Sequence, residues 1–265
     1  MAYGLFAAVM KRDYQYRYST TGRSLYDEEA RGRKARTMVA VLGDCLGERL
    51  GSLTLLNVGA STGIMDSILA DHFKLVAGID IDDTAIAHAG DNYRKPNLSF
   101  QVADALDLPF AGESFDVAVC SQVYEHVPDA RRMFDEIYRV LVPGGVCYLT
   151  ANNRLRLMEP HYRLPLLSVM PRRWAHRYLR ITGKGSFYYE RHASWWGLRS
   201  LVGKFERIDY SLRVAAHPAA FHAEYLIPAH GIRNAAARFV LRYLPWASPG
   251  YIWVLRKPAK DYVPG

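Results

Sequence analysis

Residues 53–63 read Leu-Thr-Leu-Leu-Asn-Val-Gly-Ala-Ser-Thr-Gly and decide the fold of this chain. The apolar first half is typical of a strand buried on both faces, as strands of parallel sheets are. Gly59 and Gly63 then permit a sharp turn, and residues 64–72 predict a helix whose first amides face the end of the strand. This order predicts a ligand site at the carboxyl edge of a parallel sheet.

The turn lacks the fingerprint of a dinucleotide-binding protein. A nicotinamide-binding turn would carry Gly-x-Gly-x-x-Gly, but the second and third glycine positions hold Ser61 and Ile64. Taken alone, the turn is equally compatible with a cofactor site and with a purely structural connection between a strand and a helix.

Apolar strands and amphipathic helices alternate after this turn. Further strands are predicted at 75–80, 99–103, 115–121 and 146–150, and helices at 64–72, 83–92 and 129–141. This alternation indicates an α/β fold, doubly wound, with helices on both faces of a parallel sheet. The remaining predicted elements are a helix at 26–46 that covers one face, a sixth strand at 205–212, a basic helix at 232–244 and a seventh strand at 251–256.

Asp80 ends the second predicted strand, 21 residues after Gly59. One strand-helix-strand unit needs about this interval, and an acidic residue at this place in nucleotide-binding sheets accepts hydrogen bonds from the ribose hydroxyls. The alternative role, capping the next helix, fits Asp82 or Asp83 better. Asp80 is therefore the predicted ribose ligand.

Several motifs follow in a fixed order. They are Ala-Asp-Ala at 103–105, Leu-Pro-Phe at 108–110, Ser-Phe-Asp-Val at 114–117, Glu-His-Val at 125–127 and Arg-Val-Leu-Val-Pro-Gly-Gly at 139–145. Together with the glycine turn, they resemble the class I S-adenosylmethionine-dependent methyltransferases over residues 53–150. The resemblance implies a mostly parallel, seven-stranded Rossmann-like methyltransferase sheet with a helical insertion after strand 5, and S-adenosyl-L-methionine as the cofactor.

The resemblance also implies which residues contact the cofactor. Those expected at the methionine moiety are Gly59, Ala60, Ser61 and Gly63, those at the ribose and adenine are Asp80, Ile81, Asp104 and Ala105, and those near the transferring methyl group are Ser121 and Gln122. Asn57 stands where the family usually has Asp or Glu, so a neutral carbonyl oxygen would face the methionine ammonium group. Weaker cofactor binding and a degenerate, binding-only domain are both possible consequences of that difference.

Two histidines are the candidate catalytic residues. Methyl transfer to a neutral hydroxyl group needs a base that removes the proton. His161, in Glu-Pro-His-Tyr at 159–162, follows the fifth strand, where acceptor sites of the family lie, and Glu159 could orient it. His126 is close by family position but usually shapes the cofactor pocket, and His161 could instead pack in a proline-rich turn. No compelling metal-ligand spacing is present among His176, His192, His217, His222 and His230, so no metal is predicted.

Charge is distributed unevenly along the chain. Residues 53–150 carry six basic and fourteen acidic residues, whereas 151–199 carry ten basic and two acidic residues. The acidic part suits a sulfonium cofactor, and the basic part suits an anionic partner. We therefore predict an N-terminal arm and helix at 1–52, a cofactor-binding core at 53–150, a basic acceptor-side insertion at 151–200 and C-terminal strands with a basic helix at 201–265.

Cysteine usage and hydropathy bear on the compartment. Cys45, Cys120 and Cys147 lie in apolar runs without metal-ligand spacing, which favours reduced, buried thiols and a reducing compartment. No stretch reaches the ~18 consecutive apolar residues of a membrane span, and residues 1–10 make a poor signal peptide. The expected location is cytoplasmic, with contact to the inner face of a membrane through the basic helix as an open alternative.

The predicted function is methyl transfer from S-adenosyl-L-methionine to a small or lipid-linked acceptor, with an anionic one favoured by the insertion. A sugar, isoprenoid, glycan or secondary-metabolite intermediate would suit. Nucleic acid is the disfavoured alternative, because the Asn/Asp-Pro-Pro-Phe/Tyr signature of base-amino methyltransferases is missing. A non-catalytic cofactor-binding protein is the other alternative.

Overall fold

A computed structural model describes residues 16 and 18–259. Its helices are α1 (Tyr18–Thr21), α2 (Glu28–Leu46), α3 (Ile64–Leu69), α4 (Asp83–Asn92), α5 (Ala130–Val140), α6 (Arg172–Ile181), α7 (Trp195–Leu201), α8 (Ser211–Ala216) and α9 (Ile232–Tyr243). Its strands are β1 (Thr54–Val58), β2 (Leu75–Asp80), β3 (Leu98–Val102), β4 (Phe115–Ser121), β5 (Leu141–Asn152), β6 (Met158–Glu159), β7 (Leu164–Pro165), β8 (Glu206–Asp209) and β9 (Gly250–Arg256).

Seven strands form one sheet in the order β3-β2-β1-β4-β5-β9-β8. The neighbours from β3 to β5 pair in parallel, whereas β9 runs antiparallel to both β5 and β8. The strand order reverses between β1 and β4, and ligands bind at such switch points in doubly wound sheets. The mostly parallel, seven-stranded sheet confirms the predicted fold class.

Two apolar layers bury the sheet because successive side chains of a strand point to opposite faces. On β1, Leu55 packs into the layer formed by α2 and α3, whereas Leu56 and Val58 pack into the layer formed by α5 and α7. Met38 is buried in the first layer, and Phe134 in the second. Both faces of the strand are therefore apolar, as the sequence of 53–58 predicts.

Local hydrogen bonds explain where elements depart from the predicted bounds. α3 ends at Leu69, short of the predicted 72, where Asn97 donates from Nδ2 to the carbonyl oxygens of Ala70 and Phe73 at 2.7 and 2.9 Å. The predicted sixth strand corresponds to β8, which stops at Asp209. The carboxylate of Asp209 accepts a hydrogen bond from the amide of Ser211 at 3.0 Å, and α8 follows. The prediction of one strand over 205–212 is therefore wrong beyond 209.

The segment after β5 is less helical than predicted. It contains a hairpin of two short strands, β6 and β7, with two residues each. The ten-residue helix α6 and long irregular connections make up much of the rest. Pro160, Pro165 and Pro171 interrupt it, and proline removes a backbone donor that a helix needs. A small apolar cluster holds it together, comprising Leu164, Leu167, Ala175, Leu179 and Tyr188.

None of the helices within residues 16 and 18–259 combines the length and the apolarity that crossing a bilayer requires.

Candidate functional site

A cavity of about 380 Å³ opens at the carboxyl edge of the parallel strands. The turns after β1, β2, β3 and β4 form its floor, α1 and α2 cover one side, and the segment after β5 closes another. Ten of the predicted site residues line it: Gly59, Ser61, Asp80, Ile81, Asp104, Ala105, Ser121, Gln122, His126 and His161. Asn57, Ala60 and Gly63 lie outside this lining, so only part of the predicted set shares one cavity.

The two glycines of the first turn each allow close packing against a different residue. Gly59 has φ +86°, and a Cβ atom there would lie 2.4 Å from a methyl carbon of Val123, so the backbone approaches the β4 turn closely. Gly63 has φ +80°, and its Cβ would lie 2.7 Å from that of Ala89 in α4. Gly63 therefore permits close packing of the α3 start against α4, while Gly59 borders the cavity.

The carboxylate of Asp80 is fixed by the backbone around it. One oxygen accepts a hydrogen bond from the amide of Ser61 at 2.8 Å, and the other accepts from the amide of Asp82 at 3.0 Å. Burial raises the pKa of Asp80, and these hydrogen bonds act in the opposite direction. The group is therefore oriented at the cavity wall without help from a ligand.

The loop that carries Asp104 is held from α5. Asp104 accepts a hydrogen bond from the amide of Leu106 at 3.0 Å. The Arg139 guanidinium donates to the carbonyl oxygens of Leu108 and Phe110 at 2.9 and 2.8 Å, and Glu136 accepts from the amide of Leu108 at 2.8 Å. Arg139 thus gives the Leu-Pro-Phe and Arg-Val-Leu motifs a physical link: one motif anchors the other.

Asn57 is buried below the first turn and pairs with a carboxylate. Its Nδ2 lies 3.0 Å from both carboxylate oxygens of Asp66, which is also fully buried. Burial raises the pKa of Asp66 to about 7. A carboxyl group is thus present next to the position where the family usually has one, but α3 supplies it.

The prediction missed two cations that α2 directs into the cavity, Arg31 and Lys34. Burial lowers the pKa of both groups. The Lys34 ammonium lies 3.3 Å from the side-chain oxygen of Gln122, on the turn after β4. Their spacing of three residues on one predicted helix was the available signal, but only the fold shows that this helix face borders the cavity.

The insertion contributes few residues to the lining. Asn152, Pro160 and His161 reach the cavity from this part of the chain, and none of its arginines does. Arg172 instead donates to the carbonyl oxygens of Tyr188 and Tyr189, at 3.1 and 2.8 Å. The positive charge of the insertion therefore lies outside the described cavity.

A histidine–carboxylate cluster borders the cavity through His126 and His161. His161 Nδ1 lies 2.7 Å from Glu159 Oε1, and His192 Nε2 lies 3.3 Å from the same oxygen. The amide of Tyr162 donates to the second oxygen of Glu159 at 2.7 Å. The rings of His126 and His161 meet edge to face, with centroids 5.0 Å apart. Sequence spacing does not reveal His192, which lies 33 residues from Glu159.

The charge states within the cluster differ. Burial alone would raise the pKa of Glu159, but hydrogen bonds from His161, His192 and the Tyr162 amide outweigh it and hold that pKa at about 2. Burial would lower the pKa of His161, yet the hydrogen bond to Glu159 and the nearby carboxylates raise it overall. Burial, reinforced by the two other histidines, lowers the pKa of His126 to about 3.

Within residues 16 and 18–259, two groups of side chains have the geometry to hold a cation, although no metal is predicted from the sequence. They are Glu125, His126 and His161, and Glu159, His161 and His192, with ligand atoms within 4.8 Å of one another in each group. His161 belongs to both groups.

The sequence comparisons agree with the geometry. The family described as "Methyltransferase domain" matches residues 56–149. A protein of Mycolicibacterium smegmatis named "Probable S-adenosylmethionine-dependent methyltransferase" is 33% identical over 110 residues, covering 42% of each chain. A ubiquinone biosynthesis O-methyltransferase of Psychrobacter arcticus is 35% identical over 111 residues, covering 40% of this chain and 43% of that protein. The chain thus spans less than half the length of these curated relatives.

Solved structures share the fold at low sequence identity. A chain from a complex that contains the Haloferax volcanii Trm112 methyltransferase activator has a TM-score of 0.58 at 19% identity, covering 95% of this chain and 99% of that one. An S-adenosylmethionine-dependent methyltransferase from Mesorhizobium loti has a TM-score of 0.54 at 17% identity, covering 83% and 97%. Residues 56–149 therefore form a methyltransferase domain, and the fold around them is that of the class I S-adenosylmethionine-dependent methyltransferases.

Proposed function

We propose that this protein transfers a methyl group from S-adenosyl-L-methionine to a hydroxyl group of a small or lipid-linked acceptor. One observation carries the proposal: a single cavity joins the oriented Asp80 carboxylate and the glycine turn to His161, whose ring is bound to the buried Glu159. The proposed ribose ligand, Asp80, and the proposed base, His161, thus line the same cavity.

The lining fits the cofactor. The preoriented Asp80 would accept hydrogen bonds from the ribose hydroxyls, and Asp104 would lie at the adenine edge, as the family motif implies. Arg31 and Lys34 are the cations placed to neutralise the carboxylate of the methionine tail. Gly59 keeps the wall free of a side chain at a point where a Cβ atom would clash with the side chain of Val123.

Bound S-adenosyl-L-methionine supplies a methyl carbon on a positively charged sulfur, and transfer breaks that carbon–sulfur bond as the acceptor oxygen bonds to the carbon. His161 removes the proton of the acceptor hydroxyl group. Glu159 is ionised and binds Nδ1, so Nδ1 carries a proton and Nε2 is the nitrogen that receives the new one. His126 is a weak base at neutral pH because its pKa is lowered to about 3.

The relatives support a hydroxyl group as the proposed acceptor. A ubiquinone biosynthesis O-methyltransferase is among them, which supports oxygen as the methylated atom. Because the arginines of the insertion do not reach the cavity, and Arg31 and Lys34 are assigned to the cofactor carboxylate, the lining gives no basis for a preference for an anionic acceptor. A cytoplasmic location is part of the proposal.

The test is a screen of cell extract with cofactor labelled in its methyl group, read by mass spectrometry for a labelled product. The purified acceptor would then be used with His161→Gln. We expect this variant to bind the cofactor normally by calorimetry and to lose about 10² to 10⁴ in turnover, the usual contribution of a general base.

The alternatives predict different results. Cofactor binding without a labelled product in any fraction would indicate a binding-only protein, and label in nucleic acid would identify that acceptor. Unchanged turnover in His161→Gln would remove His161 as the base and leave the transferase assignment in place.

A further inference from the structure

Helix α9 turns an apolar stripe away from the protein. Ile232, Phe239 and Tyr243 are 86%, 57% and 66% exposed, and Ala236 between them is exposed as well. At 100° per residue these four positions fall within about 60° of one another around the helix. The apolar residues therefore form one continuous strip on the outside of the fold.

The opposite side of α9 supplies its attachment to the protein. Asn234 is the buried residue of the helix, and its side-chain amide donates to the carbonyl oxygens of Ala215 and Pro228 at 2.8 and 2.9 Å. A helix packed on the sheet would hide Phe239 and Tyr243, but here their rings contact each other on the surface, with centroids 5.1 Å apart. Apolar stripes of this length on a soluble surface mark interaction sites.

Positive charge borders the stripe. Arg238 and Arg242 lie along one side and Arg233 lies along the other, by the same helical angles. Residues 225–250 contain three basic residues, all of them in α9, and no Asp or Glu. An acidic surface therefore complements this region, and a surface that also accepts buried aromatic side chains is the interface of an anionic bilayer.

The stripe is connected to the cavity edge. After α9 the chain turns at Pro245–Ala247, and the Asn153 side chain binds the carbonyl oxygens of Trp246 and Ser248, both at 2.7 Å. Asn153 follows Asn152, which lines the cavity. The exposed Trp246 ring stacks on the exposed ring of Trp196, with centroids 6.1 Å apart. Aromatic side chains of this kind favour the headgroup level of membranes.

We propose that the outer face of α9, defined by Ile232, Ala236, Phe239 and Tyr243, binds the surface of an anionic membrane. The helix lies in the plane of the interface, with its aromatic side chains among the headgroups and its arginines beside the phosphates. If the proposed methyl transfer holds, this contact places the cavity edge next to a membrane and supports a lipid-linked acceptor. The membrane contact itself does not depend on methyl transfer.

Vesicle sedimentation tests the proposal on the full chain. Phosphatidylcholine vesicles with and without phosphatidylglycerol would be compared at low ionic strength and at about 1 M salt, where the screening length falls to about 3 Å. We expect binding to the anionic vesicles at low salt and a large loss at high salt. Equal binding to neutral vesicles, or no binding to anionic ones, would overturn the proposal.

Two pairs of variants locate the surface. Phe239→Ser with Tyr243→Ser should weaken vesicle binding at least about tenfold, and Arg238→Gln with Arg242→Gln should weaken it by about 30-fold at low salt only. The matched controls lie on the other exposed basic helix, α6: Trp174→Ser with Ile181→Ser, and Arg177→Gln with Arg180→Gln. Both control pairs should bind as the unaltered chain does.

Further readouts separate the rival occupants of this face. If the α6 controls lose as much binding as the α9 variants, or if light scattering shows a dimer that Phe239→Ser with Tyr243→Ser dissociates, the α9 assignment is wrong. Thermal unfolding and cofactor calorimetry should be unchanged in every variant, because the replaced side chains are exposed and away from the cavity lining. If the unaltered chain does not bind the cofactor, the proposed function is wrong, but the proposed membrane contact is not affected.

Discussion

Asp80 is held by two backbone amides before any ligand arrives, so its replacement removes an oriented hydrogen-bond acceptor. We expect Asp80→Ala to weaken cofactor binding by about 1.5 to 3 kcal/mol, the value of hydrogen bonds to a charged group. Calorimetry with S-adenosyl-L-methionine measures this, with Asp91→Ala on the exposed face of α4 as the control. Equal affinity in the two variants would place Asp80 outside the cofactor site.

Glu159 controls the proton affinity of His161. Because the pKa of His161 is raised above 6.5, it is protonated at low pH and becomes a base as the pH rises. The acid limb of kcat/KM should therefore lie above pH 6.5. Glu159→Gln should move this limb to lower pH and reduce turnover on the order of 10²-fold.

His126→Gln is the matched comparison for the pH profile. Burial already holds the pKa of His126 at about 3, so its removal should leave the acid limb near its original position. A limb that stays in place in Glu159→Gln, or that disappears in His126→Gln, would assign the titration to another group.

At the scale of elements, α3 meets β1 through the buried pair of Asp66 and Asn57. The pKa of Asp66 is raised to about 7 from 3.8, so the folded protein holds this proton more tightly than the unfolded chain does. Stability from this group is fully present below about pH 4 and is lost as the pH rises through 7. Ionisation of Asp66 therefore opposes folding in alkaline solution.

Asp66→Asn should remove the loss of stability that ionisation of Asp66 causes at high pH. At pH 8 we expect the variant to have a free energy of unfolding higher than that of the unaltered chain by as much as about 4 kcal/mol, since roughly three pKa units at 1.36 kcal/mol each separate the folded from the unfolded carboxyl group. At pH 4 we expect the two proteins to have nearly the same free energy of unfolding. Urea unfolding across this pH range measures both, with Asp91→Asn as the control. A variant that is less stable at pH 8 would mean that the ionised carboxylate is stabilised by Asn57.

At the scale of the whole molecule, β9 completes the sheet from the far end of the chain. It pairs with β5 over seven residues and with β8 over four, and its Trp253 is fully buried. Without β9, the β5 edge would expose backbone donors and acceptors, and β8 would have no neighbour in the sheet.

A chain ending after Ser248 should therefore fail to fold cooperatively, whereas one ending after Ala259 should unfold as the full chain does. Circular dichroism during thermal unfolding and size-exclusion chromatography measure the difference. A cooperative transition in the shorter chain would show that β1 to β5 with their helices are stable alone.

Much of the fold was decided by local pattern. The bounds of β2, β4 and α4 match their predictions, because an apolar strand run and a capped amphipathic helix are each specified by neighbouring residues. Asp82 illustrates this, since it accepts a hydrogen bond from the amide of Ala85 as a helix cap should. The motif order from 53 to 150 likewise resembled the methyltransferase family, whose domain matches residues 56–149.

The site depended on tertiary structure wherever its residues come from distant parts of the chain. Arg31 reaches the cavity because α2 packs across the sheet, and His192 meets Glu159 because the segment after β5 folds back on itself. The outer face of α9 was also undecided, since an apolar stripe can turn inward or outward without any change in sequence. Packing of Asn234 against Ala215 and Pro228 sets that choice, because rotation of the helix would leave its buried amide without partners.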